Sequence, residues 1–128
     1  MEKKKILLAD DSEEQLSSMK RLLGAMGYEV NAVKNTDEEI EAARGGKGNE
    51  RYELIISDIN MDDKYGNSGG LHAIKEIREF DDDTPIILNS ASLTDSNKKE
   101  AGRYKNVHVC SKLNTLAKIK EILGKYSK

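Results

Sequence analysis

The sequence has few of the residues that crosslink secreted proteins or interrupt secondary structure. Its 128 residues include one cysteine, Cys110, and one proline, Pro85. A single cysteine cannot form a disulfide within the chain, and no apolar stretch is long enough to span a bilayer. The N-terminus shows no signal-peptide pattern. We therefore expect a cytoplasmic protein that does not enter the membrane.

The chain also has no excess of charge of one sign. Its 21 lysine and arginine residues stand against 23 aspartate and glutamate residues, for a net charge of -2. Such a chain has no overall positive field to attract DNA or RNA, so we expect no direct binding of nucleic acid. No linker or repeat divides the sequence, and its length fits a single core. We predict one domain, residues 1–128.

Apolar runs alternate with amphipathic stretches along the chain, and we count five such units. This alternation is typical of β/α units around a parallel sheet. The predicted strands cover residues 5–9, 29–34, the part of 53–61 that ends at Asp58, 85–91, and 107–110. The last of these is predicted as an edge strand. The sequence therefore predicts an α/β fold with helices packed on a parallel sheet.

Two of the predicted helices begin with a capping-box pattern. Ser12 is followed three residues later by Gln15, and Thr36 is followed by Glu39. The fourth predicted helix, at 92–105, offers only three apolar side chains for burial. Because helices in proteins depend on tertiary packing for most of their stability, we expect this one to be the mobile element.

Polar side chains stand where four of the predicted strands end. In an open parallel sheet, ligands bind outside these carboxyl ends. The residues, in strand order, are Asp10 and Asp11, then Asp58, Ser90 and Lys112. If the first and third strands are neighbours, three carboxylates converge, and two charges roughly 4 Å apart repel by about 4 kcal/mol at an effective dielectric near 20. A positive group must therefore share the site.

Lys112 and a divalent cation are the two candidates for that positive group. Carboxylate oxygens select hard ions, and Mg²⁺ is commonly held by one or two carboxylates, waters and phosphate oxygens. His72 is predicted on the third helix and His108 on the fifth strand, so zinc is a poor fit. Taken singly, most of these residues could be helix caps, turn hydroxyls or solvated lysines. Their common position at the carboxyl ends of neighbouring strands favours a functional site.

Four segments resemble the receiver domains of bacterial two-component response regulators, and the resemblance runs through essentially the whole chain. They are ILLADDS at 6–12, YELIISDINM at 52–61, PIILNSA at 85–91 and VCSK at 109–112. The resemblance implies a flavodoxin-like (βα)5 fold, doubly wound, with sheet order 2-1-3-4-5. It also implies a function in two-component signal transduction, with a sensor histidine kinase or phosphotransfer protein as partner.

The resemblance assigns Asp58 as the residue that a histidine kinase phosphorylates, with Ser90 and Lys112 holding the phosphoryl oxygens. Such a domain is a phosphoacceptor that assists its own phosphorylation and dephosphorylation, not an enzyme.

The aspartyl phosphate carries nearly two negative charges, so it can draw Ser90 inward and shift the helix at 92–105. A downstream partner would read the face of helix four, strand five and helix five. The protein would be a monomer or a phosphorylation-dependent dimer.

The same resemblance implies Mg²⁺ as the cofactor. Asp11, Asp58 and the backbone carbonyl of Asn60 would bind the ion, and Asp10 would contribute through water. A carboxylate attacks phosphorus only if charge on the transferring group is neutralised, and Mg²⁺ with Lys112 can do this by positioning and electrostatics.

The chain departs from the family's usual pattern at several positions. Asp62 stands where the family usually has a proline, and the loop at 62–70 is longer than usual. The family's lysine normally precedes a cis proline, but Lys112 precedes Leu113, where a cis bond would cost about 3 to 4 kcal/mol. We therefore predict a trans bond. Val109 replaces the usual aromatic residue.

These departures leave two other functions open. The altered loop and the missing aromatic residue would suit a pseudo-receiver, which binds a partner protein without phosphorylation. The three acids would also suit a Mg²⁺-dependent phosphohydrolase with an aspartyl nucleophile. Such an enzyme needs a substrate pocket, and we see no place for one in so short a chain.

Overall fold

A computed structural model of the chain describes residues 4–45, 51–61, 69–91 and 93–126. Its five strands form one parallel sheet in the order β2-β1-β3-β4-β5. They are β1 Lys5–Ala9, β2 Glu29–Val33, β3 Leu54–Asp58, β4 Ile86–Ser90 and β5 Val107–Ser111. The predicted α/β fold is confirmed, with β5 at the sheet edge. The limits of β2 and β5 differ from the prediction by one residue at the carboxyl end, and those of β4 by one residue at each end.

Within the described parts of the chain, five α-helices alternate with the strands. They are α1 Glu13–Ala25, α2 Thr36–Gly45, α3 Gly69–Ile77, α4 Asp95–Ala101 and α5 Thr115–Tyr126. A short 3-10 helix, Lys112–Asn114, joins β5 to α5. Among the described residues, no helix is long and apolar enough to cross a membrane.

The core consists of two apolar layers, one on each face of the sheet. Residues from α1 and α5 pack with alternate strand residues such as Ile6 and Ile56. Residues from α2 and α3 pack with the intervening ones, such as Leu7 and Ile55, on the other face. Because successive side chains of a strand point to opposite faces, a strand covered on both sides reads as a continuous apolar run.

The start of α1 confirms Ser12 as the N-cap residue of the first predicted capping box. The Ser12 hydroxyl accepts a hydrogen bond from the Gln15 backbone N–H at 3.3 Å, and the Ser12 N–H donates to Asp10 at 2.9 Å. The turn into α1 therefore fixes the Asp10 carboxylate that precedes it.

The chain leaves α1 through Gly27, whose φ of 97° lies in the left-handed region that favours glycine.

The second capping prediction is wrong. Helix α2 begins at Thr36, and the residue before it, Asn35, caps the helix: its amide oxygen accepts from the Glu38 N–H at 2.9 Å. Glu39 is fully buried, and its carboxylate accepts a hydrogen bond from the Ser57 hydroxyl at 3.0 Å. Glu39 therefore lies against the sheet, and Asn35, not Thr36, is the residue that caps the helix.

The fourth helix is shorter than predicted. Helix α4 has seven residues instead of the predicted span of 92–105, and it begins after Thr94, which caps it by accepting from the Asn97 N–H at 3.1 Å. Of its side chains, only that of Ala101 is fully buried. The sparse apolar pattern of this segment explains why it forms only a short helix.

Candidate functional site

Three carboxylates meet at the carboxyl end of the sheet. Asp10 and Asp11 follow β1, and Asp58 ends β3, which is the neighbour of β1. Each of the three offers an oxygen within 4.8 Å of the other two. Asp10 and Asp58 are buried, with 6% and 3% of their surface exposed, whereas Asp11 is exposed. The cluster is therefore closed on the sheet side and open to solvent at Asp11.

Lys112 brings a positive charge into this cluster from the end of β5. Its Nζ lies 3.0 Å from Asp10 Oδ2 and 3.0 Å from Asp58 Oδ2. Burial alone would lower the pKa of Lys112, but the hydrogen bonds to Asp58 and Asp10 raise it above the ordinary value. The side chain therefore stays protonated at neutral pH and balances part of the acidic charge.

Backbone turns hold the second oxygen of each buried carboxylate. Asp10 Oδ1 accepts from the Ser12 N–H at 2.9 Å, and Asp58 Oδ1 accepts from the Asn60 N–H at 3.0 Å. Both are turns in which an aspartate bonds the backbone two residues on. Burial raises the pKa of Asp10, an effect that hydrogen bonds from Ser12 and Lys112 oppose. Each carboxylate is thus fixed at both oxygens, one on backbone and one on Lys112.

Ser90 and Asn60 complete the set of residues that the sequence predicts for this site. Ser90 ends β4, is fully buried, and donates its hydroxyl proton to the Asn60 amide oxygen. The neighbouring pair Asp58 and Asn89 aligns β3 with β4, which places Ser90 one residue beyond. All six predicted residues therefore stand at the same end of the sheet.

The turn that carries Lys112 has a trans peptide bond to Leu113. No cis peptide bond occurs among the described residues, so the predicted trans geometry is confirmed. The Leu113 side chain is 96% exposed. Val109, which replaces the family's aromatic residue, is half-buried and packs against the core layer on the α2 and α3 side. Most of the long loop predicted at 62–70, namely residues 62–68, lies outside the described residues.

Gly70 is a site residue that the sequence reasoning missed. A Cβ atom at this position would lie 2.4 Å from the backbone oxygen of Asp58 and 2.9 Å from the Cα of Ile59. The Gly70 N–H donates to the Ile59 carbonyl at 3.2 Å. Only glycine allows the first turn of α3 to approach the end of β3 this closely. A glycine inside the first turn of a predicted helix is the signal that could have revealed it.

The donor chemistry of the cluster fits a hard divalent cation. Its three acids offer only carboxylate oxygens, and no histidine or cysteine belongs to the group among the residues that the structure describes. Their spacing within 4.8 Å allows one ion to contact more than one of them. This set suits Mg²⁺ better than Zn²⁺, whose protein sites usually include histidine or cysteine ligands.

Comparison with known proteins identifies the family. A family model described as "Response regulator receiver domain" matches residues 6–124. The chain belongs to this family. Family members are phosphoacceptors in two-component signalling, and they interact with histidine kinases or phosphotransfer proteins.

Two curated proteins and one solved structure illustrate the relationship. The receiver domain is 33% identical over 89 residues to Chemotaxis protein CheY of Thermotoga maritima, covering 69% of this chain and 68% of that protein. It is 28% identical over 109 residues to Sensor protein EvgS of Escherichia coli (strain K12), covering 85% of this chain. It spans only 8% of the length of EvgS.

The solved structure is response regulator protein TrrA from Thermotoga maritima in complex with Mg(2+)-BeF. It superposes on the receiver domain with a TM-score of 0.73 at 30% identity, covering 94% of this chain and 99% of that one. A member of this fold family at 30% identity therefore binds Mg²⁺.

Proposed function

We propose that this receiver domain accepts a phosphoryl group on Asp58 in a Mg²⁺-dependent reaction, with a sensor histidine kinase or phosphotransfer protein as donor. The observation that carries the proposal is the arrangement of charged side chains at the carboxyl end of the sheet. Asp58 shares a cluster with two further acids within 4.8 Å, and Lys112 lies 3.0 Å from it. A purely structural ion pair would not require the third, exposed acid at Asp11.

Asp58 acts as the nucleophile in this proposal. One of its oxygens is held by the Asn60 N–H and the other by Lys112, so the carboxylate is already oriented before a donor arrives. A new bond forms between a carboxylate oxygen and phosphorus, while the bond from phosphorus to the donor's nitrogen breaks. The Lys112 ammonium group then stabilises the negative charge on a phosphoryl oxygen.

The residues that would hold Mg²⁺ are Asp10, Asp11, Asp58 and the backbone carbonyl of Asn60. When bound, the ion supplies neutralising charge to the phosphoryl oxygens. Asp11, the exposed acid, faces the solvent, and Asp10 would contribute through a water molecule.

The signal leaves the site through Ser90. Its hydroxyl, bonded to Asn60 before phosphorylation, exchanges this partner for a phosphoryl oxygen, which is a stronger acceptor. The loop after β4 then moves with it. Helix α4, which buries only one side chain fully, is the element that shifts, and a downstream partner reads the α4, β5 and α5 face. The domain works in the cytoplasm as a monomer or a phosphorylation-dependent dimer.

The test is phosphorylation by a small donor such as acetyl phosphate. We expect one phosphoryl group per chain, located on Asp58, when Mg²⁺ is present and none when a chelator removes it. Asp58→Asn should abolish the adduct. Asp82→Asn, which makes the same charge change at an exposed turn away from the cluster, should leave it unchanged.

The same assay separates the alternatives. A chain that takes no phosphoryl group under conditions that modify another receiver domain would be a pseudo-receiver, and this proposal would be wrong. Multiple turnover on a phosphate ester would instead indicate a phosphohydrolase.

A further inference from the structure

A chain of buried hydrogen bonds lies behind the turn that carries Lys112. The Asn89 side-chain amide donates to Thr115 Oγ1 at 3.0 Å, and the Thr115 hydroxyl donates to the Ser111 carbonyl at 3.4 Å. Ser111 is the last residue of β5, and Thr115 is the first residue of α5. The two bonds therefore join β4 to both ends of the 3-10 helix Lys112–Asn114.

The position of Asn89 is otherwise apolar. Asn89 shares a sheet face with Ile87, and the layer on that face includes Ile119 and Ile122 of α5. Asn89 is 7% exposed and Thr115 is 1% exposed. Among the described residues, no donor reaches the buried Asn89 amide oxygen. Burying an amide oxygen without a partner lowers stability, so core packing alone would favour an apolar residue here.

The turn that these bonds hold has no apolar anchor of its own. Leu113 is 96% exposed, Asn114 is exposed, and Ser111 makes no side-chain cap to the 3-10 helix. Lys112 itself must nevertheless reach Asp10 and Asp58 with a long, flexible side chain. The Asn89 and Thr115 bonds fix the backbone from which that side chain extends.

We propose that Asn89 and Thr115 are positioning residues for Lys112. By fixing both ends of the turn, they hold the lysine backbone so that its ammonium group meets the carboxylates and, during phosphorylation, the phosphoryl oxygens. This positioning speeds phosphorylation because a group that is oriented in advance loses less freedom in the transition state. The inference rests on the proposed function of Asp58, which it deepens.

The first experiment removes the Thr115 hydroxyl and keeps its shape. Thr115→Val should lower the maximal rate constant for Mg²⁺-dependent phosphorylation by acetyl phosphate about tenfold, with little change in the half-saturating donor concentration. Thr115→Ser, which keeps the hydroxyl, should restore most of the rate. Thr84→Val is the matched control: Thr84 is also buried, but its hydroxyl bonds Asp81 before β4 begins. A Thr115→Val rate equal to that of Thr84→Val would overturn the inference.

The second variant separates positioning from stability. Asn89→Leu has a similar volume and removes the amide with its unpartnered oxygen, so its melting temperature should equal or exceed that of the native protein. Its phosphorylation should nonetheless be slowed about as much as in Thr115→Val. If this stable variant is phosphorylated at the native rate, Asn89 does not position Lys112.

The third measurement does not depend on phosphorylation. In metal-free protein labelled with ¹⁵N-lysine, NMR relaxation reports the motion of the Lys112 ammonium group, whose signal is assigned by its loss in Lys112→Met. We expect greater motion in Thr115→Val and Asn89→Leu but not in Thr84→Val, and equal order in all of them would refute the inference. Should the native protein accept no phosphoryl group, the proposed function fails, while this measurement still decides the positioning role.

Discussion

The ammonium group of Lys112 lies 3.0 Å from a carboxylate oxygen of Asp58. The same group lies 3.0 Å from Asp10, so one lysine balances two buried carboxylates. Asp11 adds a third acid that is exposed to solvent. A cation that enters this cluster must therefore share its ligands with Lys112.

Replacing Lys112 should make the fold depend on the cation. In Lys112→Met the two buried carboxylates lose their counter-charge, and we expect the free energy of unfolding in chelator to fall by about 2 kcal/mol. Mg²⁺ should raise the melting temperature more in this variant than in the native protein. Lys118→Met, which removes the half-buried partner of Glu121 on α5, is the control and should show the native response. An equal Mg²⁺ response in both variants would contradict the prediction.

Replacing Ser90 should uncouple the site from α4. Ser90→Ala removes the hydroxyl that bonds Asn60, whose exposed side chain can turn to water, so unfolding free energy should change by no more than about 1 kcal/mol. Asp58 should still be phosphorylated in this variant. The amide chemical shifts of α4 and β5, which should move in the native protein when Mg²⁺ and beryllofluoride are added, should stay near their starting values. A full shift in Ser90→Ala would show that the signal takes another route.

Adding a methyl group at Gly70 should disturb the end of β3. The new Cβ would collide with the Asp58 backbone, so Gly70→Ala should destabilise the fold by about 2 kcal/mol and weaken Mg²⁺ binding. Gly24→Ala is the control, because nothing lies within 4 Å of the added atom in α1, and it should stabilise by about 0.5 to 1 kcal/mol. Urea denaturation and Mg²⁺ titration of both variants would check this, and equal stabilities would refute it.

Asp81 should contribute stability only above acidic pH. Burial acts to raise its pKa, but hydrogen bonds from Thr84 and Asp83, with Arg51 nearby, lower it below the ordinary value of 3.8. A group with a lowered folded pKa stabilises the fold above its unfolded pKa and loses this effect as pH falls through the folded one. We expect Asp81→Asn to cost about 1 to 2 kcal/mol at pH 7 and progressively less toward pH 3.

The measurement for Asp81 is urea denaturation across this pH range. Asp82→Asn makes the same charge change on an exposed neighbour and should show no such trend. A destabilisation by Asp81→Asn that stays constant down to pH 3 would show that the carboxylate charge is not what stabilises the turn.

The sheet and the site residues could be predicted because both depend on simple periodic rules. Strands covered on both faces are apolar along most of their length, so a run such as the one at 54–56 is visible in the sequence. Parallel strands present their carboxyl ends at the same end of the sheet, so Asp10, Asp58, Ser90 and Lys112 could be grouped from the sequence alone.

The features that the sequence did not reveal depend on contacts between distant segments. Glu39 resembles a capping residue locally, yet it is buried because β3 places Ser57 beside it. Gly70 is required only because α3 begins against the backbone of Asp58. The hydrogen bond from Asn89 to Thr115 likewise depends on α5, which brings Thr115 to the end of β4. None of these partners can be read from a periodic pattern.

The exposure of Leu113 makes the turn beside Lys112 accessible to a spectroscopic label. The side chain is 96% exposed, and the only cysteine of the chain, Cys110, is buried. Leu113→Cys would therefore introduce one readily alkylated thiol next to the site, without removing a core contact. A fluorophore attached there would report each change of the turn in real time, in the native chain and in every variant described above.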